Sequence, residues 1–221
     1  MIDKVKKLIS EITGDSASEG LSAIKISDEE LMNELLGAVG APKEPDMRTI
    51  GLFTDVAEEK VAEIAHAMLY LNELNKLEKS EDKKKPIEFY ISTYGGNADD
   101  MFALYDVMRQ VKLDTEIHTI GLGKVISAGV LFLASGTKGK RKIGKYCRVM
   151  IHSVIGGSHG SLPNLANEME AIQQIQKDYI DALVTETTMT SKKMKALLER
   201  KVNVYLSAEE AVELGIADII I

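Results

Sequence analysis

The chain has 221 residues, of which 45% are hydrophobic and 28% charged, so it is long enough to bury one sizeable core. Its net charge of -7 at pH 7 disfavours a general nucleic-acid binder, because such proteins carry a basic excess on one face. The single cysteine excludes an internal disulfide and a multi-cysteine zinc site, and it predicts a reducing, cytoplasmic setting.

The first 46 residues form a segment of their own. Short apolar clusters in lysine- and glutamate-rich sequence predict two short helices with a flexible join, and two prolines at 42 and 45 mark a linker. No apolar run approaches the roughly 18 residues that a bilayer span requires. We therefore expect a helical extension over 1–46, a globular domain over 47–221, and neither export nor membrane insertion.

From Met47 onward, segments typical of strands and helices alternate. Strands are predicted at 48–54, 87–92, 116–122, 146–152 and 203–206. Helices are predicted at 56–74, 98–111, from Ser127 onward, and at 208–214. Because strands separated by helix-length segments form parallel βαβ crossovers, the sequence predicts an α/β fold.

A long helical region is predicted over 162–198, with an interruption near 187–190. Apolar residues recur in it every three to four positions, at Ala166, Met169, Ile172, Ile175, Tyr179 and Leu183. The sequence allows two interpretations of this apolar stripe. It either packs in the core or projects and is buried against another subunit.

Three chemically informative spots follow predicted strands: Gly95-Gly96, Ser127 and His152. Ligands and catalytic groups gather at the carboxyl ends of the strands in an open α/β sheet. A serine at a helix start lies in the positive field of that terminus, and the N–H of Ala128 is free to face an oxyanion. The paired glycines either bring backbone donors toward a substrate or make a plain tight turn.

Ser127 itself has two interpretations, an N-cap residue or a nucleophile. A nucleophile needs a base, and the chain has four histidines. His66 lies in a predicted helix and His118 inside a predicted strand, while His159 lies in a glycine-rich loop. His152, at a strand end, is the best candidate base. Lys124, three residues before the serine, is a weaker alternative.

Four segments of residues 47–221 together resemble the proteolytic subunit of the Clp protease family, ClpP: FYISTYGGNADDMFALYDVM, SAGVLFLASGTKGKR, RVMIHSVIGGSHG and YLSAEEAVELGIAD. The resemblance implies a crotonase-like α/β fold with a projecting handle helix. It implies a serine endopeptidase that cleaves unfolded polypeptides inside a chamber of two heptameric rings, a tetradecamer. It also implies a hexameric AAA+ unfoldase as partner, which consumes the ATP, and no metal or cofactor in this chain.

The resemblance also assigns roles to positions. Ser127 matches the nucleophile, and His152, 25 residues later, matches the general base. Gly96 and Ala128 match the two residues whose backbone N–H groups form the oxyanion hole. The handle helix corresponds to 162–183. The segment that pairs with substrate peptide corresponds to Gly156, Gly157, Ser158, His159 and Gly160.

The sequence departs from the family pattern at several of these positions. Counting back four residues from Ser207 places Asn203 where the family has its catalytic aspartate. An asparagine oxygen can accept a bond from an imidazole N–H, but it lacks the charge that stabilises the imidazolium. Tyr94 replaces the proline before the paired glycines, and Val125 and Ile126 replace small residues before the serine.

Three functions fit these features. The first is an active peptidase component of an ATP-dependent Clp protease. The second is a catalytically impaired subunit of the same kind, which fills or regulates a mixed ring. The third is a crotonase-type acyl-CoA enzyme, which shares the fold and the oxyanion hole but needs a CoA pocket instead of a nucleophile.

Overall fold

The computed structural model describes residues 47–199 and 203–221, so the extension predicted over 1–46 lies outside the described part of the chain. The strands are β1 (Thr49–Leu52), β2 (Ile87–Thr93), β3 (Ile117–Ile126), β4 (Lys142–Ile143), β5 (Arg148–Ile151), β6 (Val204–Leu206) and β7 (Ile219–Ile220). The α-helices are α1 (Glu58–Leu77), α2 (Ala98–Val111), α3 (Ala128–Ala134), α4 (Leu162–Glu186), α5 (Ser191–Glu199) and α6 (Ala208–Glu213).

The seven strands form one sheet, most of it parallel. β1, β2, β3, β4 and β7 lie side by side in that order, each parallel to the next. β5 leaves this path, because it pairs parallel with the last residues of β3 and antiparallel with β6. The parallel α/β architecture predicted from the sequence is confirmed, while the antiparallel β5–β6 pair was not predicted.

β3 is the central strand, and its two halves have different neighbours. Residues 120–121 pair with β4, whereas 124–126 pair with β5. The sequence predicted that this strand ends at Leu122, which is wrong by four residues, since β3 continues to Ile126. β3 therefore delivers the chain directly into the turn at Ser127.

The core lies between the sheet and the helices that pack on it. Alternate residues of β2 are buried, including Ile87, Phe89 and Ile91. All seven residues of α3 are buried as well, which explains its uninterrupted apolar sequence. A helix that begins at Ala128 and is buried along its whole length fixes the position of its first turn firmly.

Helix α4 divides into an exposed half and a buried half. Residues 162–171 are all exposed, and Ile172 and Ile175 are half-buried. Tyr179 and Leu183 are buried in the core. The core interpretation therefore holds for the second half of the helix, while burial of the first half against another subunit stays a prediction. The predicted interruption is present, since α4 ends at Glu186 and α5 begins at Ser191.

Candidate active site

Ser127 occupies a strained turn between β3 and α3. Its φ of 55° and ψ of -120° make it the one non-glycine residue with positive φ in the described ranges. Its N–H donates to the carbonyl of Met150 at 2.9 Å, and its carbonyl accepts from the N–H of Val130 at 2.9 Å. Such a conformation persists only where surrounding contacts enforce it. The backbone bonds thus hold the turn without using the side chain.

The Ser127 hydroxyl makes no capping bond to α3, although the residue stands at the N-cap position. The side-chain oxygen of a serine that serves as an N-cap accepts a hydrogen bond from a backbone N–H of the first turn. Because that bond is absent here, the geometry disfavours the N-cap interpretation. The half-buried Oγ remains available for other chemistry.

Gly95 and Gly96 pass so close to their neighbours that no side chain fits. A Cβ on Gly95 would lie 2.6 Å from the Cβ of Ser127, and one on Gly96 would lie 2.1 Å from the carbonyl oxygen of Val56. Both glycines also have positive φ, 95° and 154°. The pair is therefore more than a tight turn, because it lets the backbone cross directly beside the serine.

Backbone bonds anchor this loop on both sides of Gly96. The carbonyl of Gly95 accepts from the N–H of Val56 at 2.7 Å, and the N–H of Asn97 donates to the Val56 carbonyl at 2.9 Å. The N–H groups of Gly96 and Ala128 have no acceptor among the described residues. Both residues line the same cavity, so two free donors are available there for an oxyanion.

His152 follows the end of β5 and is half-buried. Its Nδ1 donates to the carbonyl oxygen of Ser153 at 2.6 Å. A carbonyl can only accept, so Nδ1 carries the proton and Nε2 of the neutral ring is left as an acceptor. His152 therefore has the tautomer that a general base requires, although its ring is not hydrogen-bonded to Ser127 in this structure.

Asn203 precedes β6, which pairs antiparallel with β5 so that Val204 faces Ile151. Asn203 and His152 are the residues just beyond this last pair of the ladder. The Asn203 side chain is exposed and makes no hydrogen bond with any described residue. The role of Asn203 stays a prediction, since the bond to Nδ1 of His152 comes from Ser153.

Four of the predicted site residues line one cavity of about 350 Å³: Ser127, His152, Gly96 and Ala128. The rest of its lining consists of Tyr94, Asn97, Ala98, Met101, Val154, Ile155, Ile175 and Tyr179. Asn203 and the 156–160 segment are not part of this lining. The apolar residues of the lining were missed as site residues, because Met101, Ile175 and Tyr179 fit helical core stripes and Val154 and Ile155 carry no reactive group.

The glycine-rich segment after His152 has no assigned strand, and residues 155–160 are exposed. It lies along α4: the N–H of Val154 donates to Oε1 of Gln176 at 2.7 Å, and a Cβ on Gly156 would lie 2.5 Å from Cδ1 of Ile172. A Cβ on Gly157, by contrast, would have no neighbour within 4 Å. The segment that the resemblance assigns to substrate pairing is irregular in this structure.

The residues that replace the family's small side chains are accommodated in the sheet. Val125 and Ile126 pair with Val149 and Met150 of β5, and both are buried. Nζ of Lys124 lies 4.6 Å from the centroid of the Tyr94 ring, and Lys124 is not among the residues that line the cavity with Ser127. This contact disfavours the lysine as the base.

Other reactive groups lie apart from this cavity. Burial raises the pKa of the Cys147 thiol to about 11, so its nucleophilic thiolate is scarce at neutral pH. Among the described residues, no three His, Cys, Asp or Glu side chains are grouped to hold a metal ion. No helix within these ranges is long and apolar enough to cross a bilayer.

Comparison with known proteins agrees with this geometry. The family model of Clp protease matches residues 45–221. The chain is 32% identical over 174 residues to the ATP-dependent Clp protease proteolytic subunit 1 of Prochlorococcus marinus subsp. pastoris, covering 79% of this chain and 83% of that protein. It is 29% identical over 174 residues to the subunit of the same name from Borreliella burgdorferi, covering 79% and 84%. The chain belongs to the Clp protease family.

Proposed function

We propose that this chain is the serine peptidase component of an ATP-dependent Clp protease and cleaves unfolded polypeptides. The observation that carries the proposal is the cavity in which the strained Ser127 meets His152 and the two free backbone donors of Gly96 and Ala128. A nucleophile, a base and an oxyanion hole together are the parts that acyl transfer requires.

The reaction follows from these positions. Oγ of Ser127 attacks the carbonyl carbon of the scissile peptide bond while Nε2 of His152 takes the hydroxyl proton. The N–H groups of Gly96 and Ala128 stabilise the negative oxygen that forms. The intermediate collapses as His152 gives its proton to the leaving amine, and the same base then activates water to hydrolyse the acyl-enzyme.

Asn203 takes the third position of the triad in this proposal, as a neutral neighbour of the base. The Ser153 carbonyl already selects the reactive tautomer of His152. Neither group carries a negative charge, so the imidazolium formed during attack is stabilised only by dipoles. We therefore expect this chain to hydrolyse peptides more slowly than it would with an aspartate at position 203.

Assembly and partners belong to the same proposal. The exposed half of α4 presents Leu162, Leu165 and Met169, which are 80%, 37% and 55% exposed. An apolar surface on a helix otherwise rich in polar residues is suited to self-association, here as two stacked heptameric rings. The exposed 156–160 segment would pair with substrate peptide. A hexameric AAA+ unfoldase in the cytoplasm would supply unfolded chains and consume the ATP.

The test is hydrolysis of a short fluorogenic peptide, together with labelling by a fluorophosphonate. Ser127→Ala and His152→Ala should each lower kcat by several orders of magnitude, and the double variant should be no worse because the residues act as a unit. Ser80→Ala and His66→Ala are matched controls outside the cavity and should keep parental activity. Substantial turnover by Ser127→Ala would disprove the proposal.

A second candidate function is a catalytically impaired subunit within a mixed ring. It is favoured by one observation, the absence of a carboxylate at position 203. Labelling separates the two functions: an active peptidase reacts with the fluorophosphonate at Ser127, whereas an impaired subunit assembles but stays unlabelled.

A further inference from the structure

Tyr94 stands immediately before the paired glycines, and its side chain is 65% exposed at the edge of the cavity. Nζ of Lys124 lies 4.6 Å from the centroid of its ring, within the range in which a cation is attracted to an aromatic face. Lys124 forms no ion pair with a carboxylate among the described residues. The Tyr94 ring is therefore the main partner of this cation.

The two residues join neighbouring strands at the point where the sheet ends. Tyr94 follows β2 and Lys124 lies in β3, and the last paired residues of these strands are Thr93 and Val125. On its other side, Lys124 is paired in register with Arg148 of β5. Because the positive charges of Lys124 and Arg148 repel each other across the two strands, this pairing favours a Lys124 side chain that points toward Tyr94.

Backbone bonds with Val56 anchor the loop that follows Tyr94, and the contact of the Tyr94 side chain with Lys124 adds to this restraint. Two consecutive glycines have more backbone freedom than any other pair, and neither has a side chain that could hold it in place. The N–H of Gly95 is held by Oγ1 of Thr93 at 3.0 Å, but the N–H of Gly96 is held by no described residue. An oxyanion donor must lie within about 2.7–3.1 Å of the developing charge, so small displacements matter.

We infer that Tyr94 and Lys124 form a cation–π clamp that positions the Gly95–Gly96 loop beside Ser127. The inference rests on the proposed peptidase function for its effect on rate. Lys124 does not line the cavity and acts through the Tyr94 ring, which makes it a positioning residue. Its charge, and not its ability to lose a proton, is the property that matters.

The kinetic test compares variants that keep or remove the cation and the ring. Lys124→Met and Tyr94→Leu should each lower kcat about two- to fivefold with little change in KM for a short peptide. Lys124→Arg and Tyr94→Phe preserve the cation and the ring, so they should remain near parental activity. The Lys124→Met/Tyr94→Leu double variant should be no slower than either single variant, because both remove the same interaction.

A second measurement does not depend on catalysis. Hydrogen exchange of the Gly95 and Asn97 amides, which are bonded to Thr93 and Val56, reports opening of the loop. We expect exchange about two- to fivefold faster in Lys124→Met and unchanged in Lys124→Arg. An unchanged thermal unfolding midpoint in both variants would show that the effect is confined to the loop.

Each outcome decides between explanations. Unchanged exchange in Lys124→Met would overturn the clamp, whether or not the parent is active. Absence of Ser127-dependent turnover in the parent would refute the proposed function and leave the exchange result to decide the clamp. If Lys124→Arg were as inactive as Lys124→Met, the lysine would act as a base, since a guanidinium does not lose its proton, and the clamp would be wrong.

Discussion

The hydroxyl of Tyr179 donates a hydrogen bond to the backbone carbonyl of Ser127 at 3.0 Å, across 52 residues of sequence. Tyr179 lies in the buried half of α4, and burial raises the pKa of its phenol well above the ordinary value. The group therefore stays a donor at every physiological pH. It connects α4, whose residues 162–171 are exposed, to the strained turn that carries Ser127, the proposed nucleophile.

We predict that Tyr179→Phe lowers kcat about three- to tenfold, because one net hydrogen bond is worth about 0.5–1.5 kcal/mol and its loss lets the Ser127 turn relax. Steady-state hydrolysis of a fluorogenic peptide measures the change. Tyr70→Phe, at an exposed position of α1, is the matched control and should leave kcat unchanged. Parental kcat in Tyr179→Phe would show that the other backbone bonds of Ser127 hold the turn unaided.

We predict that Asn203→Asp raises the rate of peptide hydrolysis by at least roughly tenfold, since a charge worth 1.4 kcal/mol in the transition state gives that factor. Asn203→Ala should have a smaller effect, because the Ser153 carbonyl continues to hold Nδ1 of His152. Rates of both variants at neutral pH test the argument. No acceleration in the aspartate variant would mean that position 203 does not act on His152.

We predict that Met169→Asp separates paired rings into single rings without unfolding the subunit. Met169 is 55% exposed in the exposed half of α4, so the isolated subunit should tolerate a charged side chain there. A contact between two rings that buries this position should not tolerate the charge. Native mass spectrometry and a thermal melt measure both properties. Asn167→Asp adds the same charge at another exposed position of the helix and serves as the control. An unchanged assembly in Met169→Asp would exclude this surface as the contact.

We predict a pH-dependent loss of stability in Asp218→Asn. Burial alone would raise the pKa of Asp218, but bonds from Nε of Arg141 at 2.8 Å and the N–H of Gly139 at 2.7 Å, with the guanidinium charge, hold it below the ordinary value. A lowered folded pKa stabilises the protein above the unfolded pKa of about 3.9, and this stabilisation is lost as the pH falls through the folded pKa.

Urea unfolding at several pH values measures this effect. Near pH 7, Asp218→Asn should lower the free energy of unfolding by about 3 kcal/mol, because it leaves the buried Arg141 without its counter-charge. The difference from the parent should shrink below about pH 4. Asp106→Asn removes an exposed carboxylate 3.9 Å from Arg109 and should change little. A pH-independent difference would argue against the ionised pair.

The sequence predicted the parts of the fold that local periodicity encodes. Helix α2 was predicted at its observed bounds, and Ser127, His152 and the paired glycines were placed at neighbouring strand ends because parallel strands share one carboxyl edge. The roles of Ser127, His152, Asn203 and the 156–160 segment stay predictions. Their placement was accessible from sequence, whereas their hydrogen bonds were not.

The features that sequence reasoning missed depend on contacts between distant segments. Gly123 has a φ of 63° and Lys124 is charged, so both indicate a turn, yet β5 pairs with this stretch and extends β3 to Ile126. β4 and β7 have two residues each, which is too short for an alternating pattern. Tyr179 fits the apolar stripe of a helix, and nothing local reveals the bond to Ser127.

The strained turn at Ser127 also affects how the protein tolerates mutation. A non-glycine residue at a φ of 55° and a ψ of -120° stores about 1–3 kcal/mol, which the rest of the fold must offset. A glycine at this position would release that strain while removing the proposed nucleophile. If Ser127 is the nucleophile, the substitution that abolishes the chemistry would also relieve strain in the fold, so unfolding would not remove the inactive protein. Loss of activity and loss of stability are then opposed at this one residue.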